Sequence, residues 1–433
     1  MIKYIQSIRG MHDYLPNEVE SIKNIENIIK NIVINYGYSE IRLPIVEKTA
    51  LFKRAIGNYT ELIEKEMYTF EDRNGEKLTL RPEGTAGCIR SGIENGLFHN
   101  QEQRLWYLGP MFRHERPQKA RYRQFYQLGL EVFGQKGPDT DAELILLINR
   151  IWKKLGISDE ILLEINTIGS PQSRLQYCKV LIDFLNENKT YLDKQCYSYI
   201  NTNPLRILDK ITPHTKNIFE KKQIPLLRHY LDDSSKKHFS NLCNLLKISD
   251  ITYRINPYLV RGLDYYTGTV FEWISKNKNI TKTICAGGRY DNLVEKLGGK
   301  NTPAVGLAIG LDRLFLLLKE IKNKNFIIPS RIDAYLIYDG NHIQNIAKAI
   351  KISEEIRCYF PLIRIRMNHG GGSLKTQFHR ANKCGARFAL MLNELQQSDT
   401  IILKNLDTGQ QEILSQSAIL SRLESLVNVN NIS

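Results

Sequence analysis

Near the start of the chain, apolar residues recur at three- and four-residue steps. Ile22, Ile25, Ile29, Ile32, Val33 and Tyr36 form one stripe, which predicts an amphipathic helix. Pro16 and Asn17 suit its start and Gly37 its end. The run 40–46, EIRLPIV, alternates like a strand. Pro44 cannot donate to a ladder, so this is expected to be an edge or interface strand. Residues 67–81 read as a hairpin turning at Asn74-Gly75. Strands at 105–113 and 122–133 flank a basic loop, 114–121. Helix 139–155 carries Asp141 and Glu143 in its first turn, where the helix dipole favours negative charge. Another strand follows at 161–167.

The pattern then changes. From about 170 to 255, short helical stretches rich in Lys, Asn and Tyr predict an inserted helical subdomain. Strand patterns return at 266–274, around Ile284 and at 304–310, with an apolar helix at 311–321. A Lys/Asn-rich stretch ending at Pro329 reads as a linker. Beyond it, strands at 334–338, 362–367, 388–392 and 400–406 alternate with helices at 343–356, 374–384 and 417–427. That alternation predicts a small α/β domain with a mostly parallel sheet. The expected division is 1–325, containing the insertion, and 330–433.

Composition narrows the class. The chain has 433 residues, 42% hydrophobic and 24% charged, ordinary for a globular protein of about two to four domains. No run approaches the ~18 apolar residues of a membrane span, and MIKYIQSIRGMHDYLP has no apolar secretory core. A cytoplasmic protein is expected. The net charge of +14 favours a polyanion partner, nucleic acid or acidic membrane. The seven cysteines are scattered without a CxxC pair and read as reduced thiols. The nine histidines lack metal-ligand spacing, so no bound metal is expected from them.

Two places carry candidate chemistry. Gly370-Gly371-Gly372 follows a strand and opens a helix, as a phosphate loop or a tight turn would. GPMFRHERPQKARYRQF sets Arg113, Arg116, Lys119, Arg121 and Arg123 between two strands, with Phe125 on the returning strand. Arginines grip phosphate bidentately, and an aromatic face beside them stacks a base. A solvated basic loop is the alternative reading.

In order and spacing, LTLRPEGT, GPMFRHERPQKARYRQF, LVRGLDYYTGTVFEW, AGGRYD and AVGLAIGLDRL resemble the bacterial histidyl-tRNA synthetases, which are class II aminoacyl-tRNA synthetases. RGMHDYLP and NHGGGSLKTQFHRANKCGAR also fit, so the likeness covers nearly the whole chain. It implies an α+β catalytic domain, an antiparallel sheet flanked by helices, with a helical insertion and a C-terminal α/β domain that reads the anticodon. It implies ATP, histidine and histidine tRNA as substrates, Mg2+ as cofactor, and a homodimer formed through the helix up to Tyr36 and the strand with Pro44.

The resemblance also implies residue roles. Arg113 would meet the ATP α-phosphate and the substrate carboxylate, and Arg261 would add a fixed cation there. Glu115 would lie near the adenine amino group, Phe125 and Arg313 on the two faces of adenine, and Arg121 on the γ-phosphate. Glu83, Thr85 and Gln127 suit the α-ammonium of histidine, while Glu131 and Tyr266 suit its ring nitrogens. Tyr265 and Tyr290 would line that pocket, and Arg116 and Gln118 would meet the tRNA. Two residues depart from the family pattern. Asp312 stands where Glu is usual, and Tyr126 where His is common. Alternation turns Tyr126 away from Phe125 and Gln127. Two other readings compete: a synthetase-like regulatory subunit of ATP phosphoribosyltransferase, which typically loses motif residues and the C-terminal domain, and a generic RNA-binding module.

Overall fold

Alternation along two long strands decides which side of the main sheet each residue serves. Gln103–Phe112 and Gln124–Phe133 pair antiparallel over their whole length. Trp106, Leu128, Leu130 and Val132 point into one core, while Tyr107, Met111 and Phe133 point into another. The computed structural model describes residues 4–57, 60–210, 212–277, 283–322, 332–339, 342–392 and 400–428. Contacts group these into two units: Met1–Leu15 with Ser21–Ile327, and Pro16–Glu20 with Ile328–Ser433. The linker expected before Pro329 lies outside the described residues.

The first unit is built on an eight-stranded sheet. Its order is Ser39–Glu40, Gln103–Phe112, Gln124–Phe133, Ala304–Gly310, Thr283–Arg289, Thr269–Ser275, Ile161–Thr167 and Tyr253–Ile255. The inner pairings are antiparallel, as expected, but the first and last pairs are parallel. One face is covered by residues 21–35 of the first helix and by helices Pro138–Leu155, Asp233–Ile248 and Leu311–Lys322. Ile25, Ile29, Val33, Ile148, Trp152, Leu242 and Leu314 fill that side. Trp152 is fully buried, and truncating such a side chain costs about 3–5 kcal/mol. The other face carries helices Thr49–Ile56 and Thr85–Glu94, the insertion and the candidate site.

Several expected elements are altered. Residues 41–45 form no strand. Ser39–Glu40 ends one edge of the large sheet, Val46–Lys48 ends one edge of a separate three-stranded sheet, and Pro44 lies in the link between them. The proline still marks an edge, but it interrupts the strand. Buried Arg81 holds this link, donating to the carbonyls of Leu43 and Pro110 at 2.9 Å each. The hairpin turn spans Asp72–Glu76, with the Asp72 carboxylate accepting from the N–H groups of Asn74 and Glu76. Gly75 alone takes the left-handed conformation, at φ +80°. Asp141 does not serve the helix dipole from solvent. It is fully buried, 2.7 Å from Arg289 Nε and 2.8 Å from His238 Nε2.

The helical insertion is shorter than predicted. Asp233–Ile248 packs into the main core through Leu242 and Leu246, and Tyr253–Ile255 joins the sheet.

The second unit holds a five-stranded sheet, ordered Ile365–Met367, Ala334–Tyr338, Phe388–Leu392, Thr400–Asn405 and Gln411–Ser415. The first two pairings are parallel and the last two antiparallel, so it is mixed rather than mostly parallel. The strand Gln411–Ser415 was not expected, because three of its five residues face solvent and its apolar signal is short. Among the described residues no helix is long and apolar enough to cross a membrane.

Candidate active site

On the second face of the main sheet, a cavity of about 150 Å³ collects side chains distant in sequence. Gln124–Phe133 turns Phe125 and Gln127 toward it, and Tyr126 away into the opposite core. Glu83 and Thr85 arrive at the start of helix Thr85–Glu94. Arg261, Tyr265 and Tyr266 come from the loop before Thr269–Ser275, Tyr290 from the end of Thr283–Arg289, and Arg313 from helix Leu311–Lys322. Arg113, Glu115 and Arg121 line it from the loop of the central hairpin.

Four arginines are positioned by fixed partners. Arg113 lies over the Phe125 ring, 5.3 Å from its centroid, and its Nε donates to the Pro82 carbonyl at 2.9 Å. Glu115 is buried between Arg121, to which it is ion-paired, and Arg113 Nη1, 3.9 Å away. Arg261 is ion-paired with Glu272 and lies 5.7 Å from the Tyr266 ring centroid. The second Glu272 oxygen accepts from Thr283 Oγ1 at 3.0 Å. Arg313 donates to the carbonyls of Thr283 at 2.9 Å and Ala120 at 3.3 Å. Burial lowers the Arg313 proton affinity, while Glu115 pulls it back up. Ala120 holds φ at +62°, a sparsely populated conformation for a residue with a Cβ. The tip of the basic loop is therefore bent so that its carbonyl meets Arg313.

The remaining lining is aromatic and carboxylic. The rings of Tyr265 and Tyr266 lie 4.7 Å apart, and Tyr265 meets Tyr290 edge-on at 5.6 Å. Glu83 accepts from the N–H groups of Thr85 at 2.8 Å and Ala86 at 2.9 Å, so it caps the helix as well as facing the cavity. Burial raises its pKa against those hydrogen bonds. Glu131 stands one layer behind the lining. Its Oε1 accepts from Thr85 Oγ1 at 2.8 Å and the Tyr107 hydroxyl at 2.9 Å, and its Oε2 accepts from the Tyr290 hydroxyl. Burial pushes Glu131 up to about 8, with the three hydroxyls opposing the shift.

Glycines make this density possible. A Cβ on Gly306 would fall 1.8 Å from Glu131 Oε2, and one on Gly288 2.5 Å from the Thr269 carbonyl oxygen. Gly370, Gly371 and Gly372, in the second unit, all have positive φ. The Gly371 and Gly372 carbonyls accept from Arg380 at 2.7 Å and Gln377 at 2.9 Å, which is a braced tight turn.

Arg116 and Gln118 are exposed on the basic loop and do not line the cavity. Sequence reasoning missed Tyr107, Glu272 and the role of Asp312. Glu272 carried a signal, a lone acid inside the apolar strand VFEWI. Tyr107, inside LWYLGPMF, carried none that separates it from ordinary core.

A profile of the histidyl-tRNA synthetase family matches residues 10–314. The chain belongs to the histidyl-tRNA synthetase family. It is similar to the apo histidyl-tRNA synthetase of S. aureus, with 32% identity and a TM-score of 0.78 over 97% of this chain and 99% of that one. A histidyl-tRNA synthetase from Nostoc sp. gives 19% identity and a TM-score of 0.69 over 98% and 100% of the two chains. A Bacillus halodurans protein described as an ATP phosphoribosyltransferase regulatory subunit/histidyl-tRNA synthetase gives 19% and 0.62 over 88% and 97%. The last two, at 19%, speak for the fold alone. That fold is of the class II synthetase kind, with a large mixed sheet flanked by helices and a second, C-terminal sheet domain. Within this family frame, both departures noted in the sequence meet: the Tyr126 N–H donates to Asp312.

Proposed function

We propose that the chain is a histidine–tRNA ligase. The histidine carboxylate attacks the α-phosphorus of ATP in line, forming histidyl-adenylate and releasing pyrophosphate. A ribose hydroxyl at the 3′ end of histidine tRNA then takes the acyl group and releases AMP. One observation carries this reading. Arg113, Arg121, Arg261 and Arg313 share a single cavity with Glu83, Gln127 and five tyrosines. Attack on the α-phosphate crowds negative charge, and Arg113 and Arg261 are held by fixed partners before substrate arrives. Each such preorganised donor is worth ~10²–10³ in rate.

Phe125 offers a face for adenine, with Arg313 opposite and Arg121 toward the γ-phosphate. Glu83, Thr85 and Gln127 receive the α-ammonium; Glu131 and Tyr266 receive the ring. Mg2+ enters this reading with the nucleotide. Glu115 and Glu272 are committed to arginines, and among the described residues no group of three or more His, Cys, Asp or Glu is placed to hold an ion. Phosphate oxygens and water are then the ligands expected of it.

Three further roles belong to the proposal: anticodon reading by the C-terminal domain, contact of Arg116 and Gln118 with the acceptor end of the tRNA, and homodimerisation. The setting is the cytoplasm. The competing reading, a regulatory subunit, draws on a likeness at 19% identity. Against it stand Arg113, Arg261 and Arg313, all present and all lining the cavity. Pyrophosphate exchange with each of the twenty amino acids separates the two. The ligase gives exchange with histidine alone, whereas a regulator gives none.

A further inference from the structure

Tyr107 is fully enclosed by the sheet and yet reaches the cavity. Its ring lies between Gly84 and Gly129, where an added Cβ would come within 2.2 Å and 2.1 Å of it. The ring therefore has one placement, and its hydroxyl has a carboxylate oxygen, Glu131 Oε1, at 2.9 Å. Thr85 donates to the same oxygen at 2.8 Å, and Tyr290 donates to Oε2. An ionised carboxylate offers about four lone-pair sites. Three hydroxyls occupy three of them, which leaves one.

We propose that Tyr107 is a positioning residue for histidine selection, fixing Glu131 so that one acceptor site is left for the N–H of a neutral imidazole reaching through the wall. This rests on the reading that Glu131 meets the substrate ring. A hydroxyl that donates to Glu131 cannot donate into the cavity at the same time, so Tyr107, Thr85 and Tyr290 present only lone pairs there. The wall thereby rejects side chains that bring acceptors or no polar atoms at all. Removing the Tyr107 hydroxyl strips one donor from a buried carboxylate and favours its protonated form. That form presents a hydroxyl where the ring N–H must go. Other titratable groups facing Glu131 are Glu83, Cys88, Tyr265, Tyr266 and Tyr38. Glu83 opposes ionisation, and burial keeps the thiol and phenols neutral.

The test is Tyr107→Phe, which keeps the ring between the two glycines. Histidine and ATP KM are measured by pyrophosphate exchange from about pH 6.5 to about pH 9.5, beside the unmodified enzyme and Glu131→Gln. Histidine KM should rise about tenfold at neutral pH, the worth of one hydrogen bond to a charged group. The variant-to-parent ratio should fall toward one at the alkaline end, as Glu131 ionises in the variant too. ATP KM should stay within about twofold, and substrate titration cancels in the ratio. A histidine KM ratio that stays near one, or is raised equally at every pH, overturns the proposal. So does an ATP KM that rises in step, since Tyr107 then only supports the scaffold. If Glu131→Gln leaves histidine KM unchanged, the underlying reading of Glu131 falls. If Glu131→Gln raises it and Tyr107→Phe does not, the role of Tyr107 falls alone.

Discussion

The Asp312 carboxylate accepts a 2.6 Å hydrogen bond from the backbone N–H of Tyr126, at the first turn of the helix that carries Arg313. Its other oxygen accepts from the Tyr14 hydroxyl. A buried acid thus ties three segments: the one bearing Tyr14, the strand bearing Phe125 and Gln127, and the helix of Arg313. Burial raises the Asp312 pKa against these hydrogen bonds. Asp312→Ala should raise ATP KM by about tenfold, from ~1–3 kcal/mol of lost and orphaned hydrogen bonds. Histidine KM should change less. Equal changes in both would mean that Asp312 supports the whole sheet rather than the nucleotide side.

Arg261 lines the cavity, held by Glu272 and the Tyr266 ring. Arg261→Ala should reduce single-turnover adenylate formation by ~10²–10³ while ATP still binds. Adenylate formed at nearly the parent rate would remove the role.

The C-terminal domain carries the basic residues Arg364, Arg366, Lys375 and Arg380. Arg380 is committed to the Asn368 side chain and the His369 and Gly371 carbonyls. Arg366 is exposed on a cleft shared with Tyr335 and His369. Arg366→Ala should weaken tRNA binding and lower the slope of affinity against log salt by about one, as for one lost phosphate contact. Pyrophosphate exchange should not change. A loss of exchange equal to the loss of charging would refute the assignment.

The small three-stranded sheet leaves an apolar face open. Val46 pairs with Leu80 and Phe70 with Leu78, so these side chains share one side; Val46 is 40% and Phe70 44% exposed. The Thr69 and Thr79 hydroxyls bond to each other on the opposite side. Covering that face is the expected work of a second copy. Phe70→Glu should shift the chain to monomers in sedimentation, with little change in Tm. An unmodified chain that sediments as a monomer at micromolar concentration would end the dimer proposal.

Asp232 caps helix Asp233–Ile248 and accepts from the hydroxyls of Ser173 and Ser235. Burial alone would raise its pKa, but these hydrogen bonds and the Ser235 N–H outweigh it and hold the carboxyl well below its usual range. A depressed folded-state pKa contributes stability above the unfolded value of ~3.9 and loses it as pH falls through the folded one. Asp232→Ala should cost about 1 kcal/mol at neutral pH. The Tm gap between parent and variant should narrow below about pH 4. A gap that stays constant into acid would show that the charge of Asp232 contributes nothing.

Much of the candidate site was legible because motifs report local backbone. The strand 124–133 alternates, which is enough to set Phe125, Gln127 and Glu131 on one face and Tyr126 on the other. Arg113 was legible in the basic loop, whereas Arg261 was legible only through the family resemblance. Glu131 shows the boundary. Its strand position was readable, but its place behind the cavity wall was not, because its partners Thr85, Tyr107 and Tyr290 lie 46, 24 and 159 residues away.

The sequence by itself determined the helical stripes and most of the order of strands and helices along the chain. These follow from periodicity, which depends only on neighbouring residues. Tertiary structure decided that Pro44 lies between two sheets, that the last sheet is mixed, and that Asp233–Ile248 belongs to the main core. It also decided that Asp312 meets Tyr14, 298 residues away. The reason is physical. A buried polar group must find a partner wherever the packed chain supplies one, and that choice is made in space rather than along the sequence.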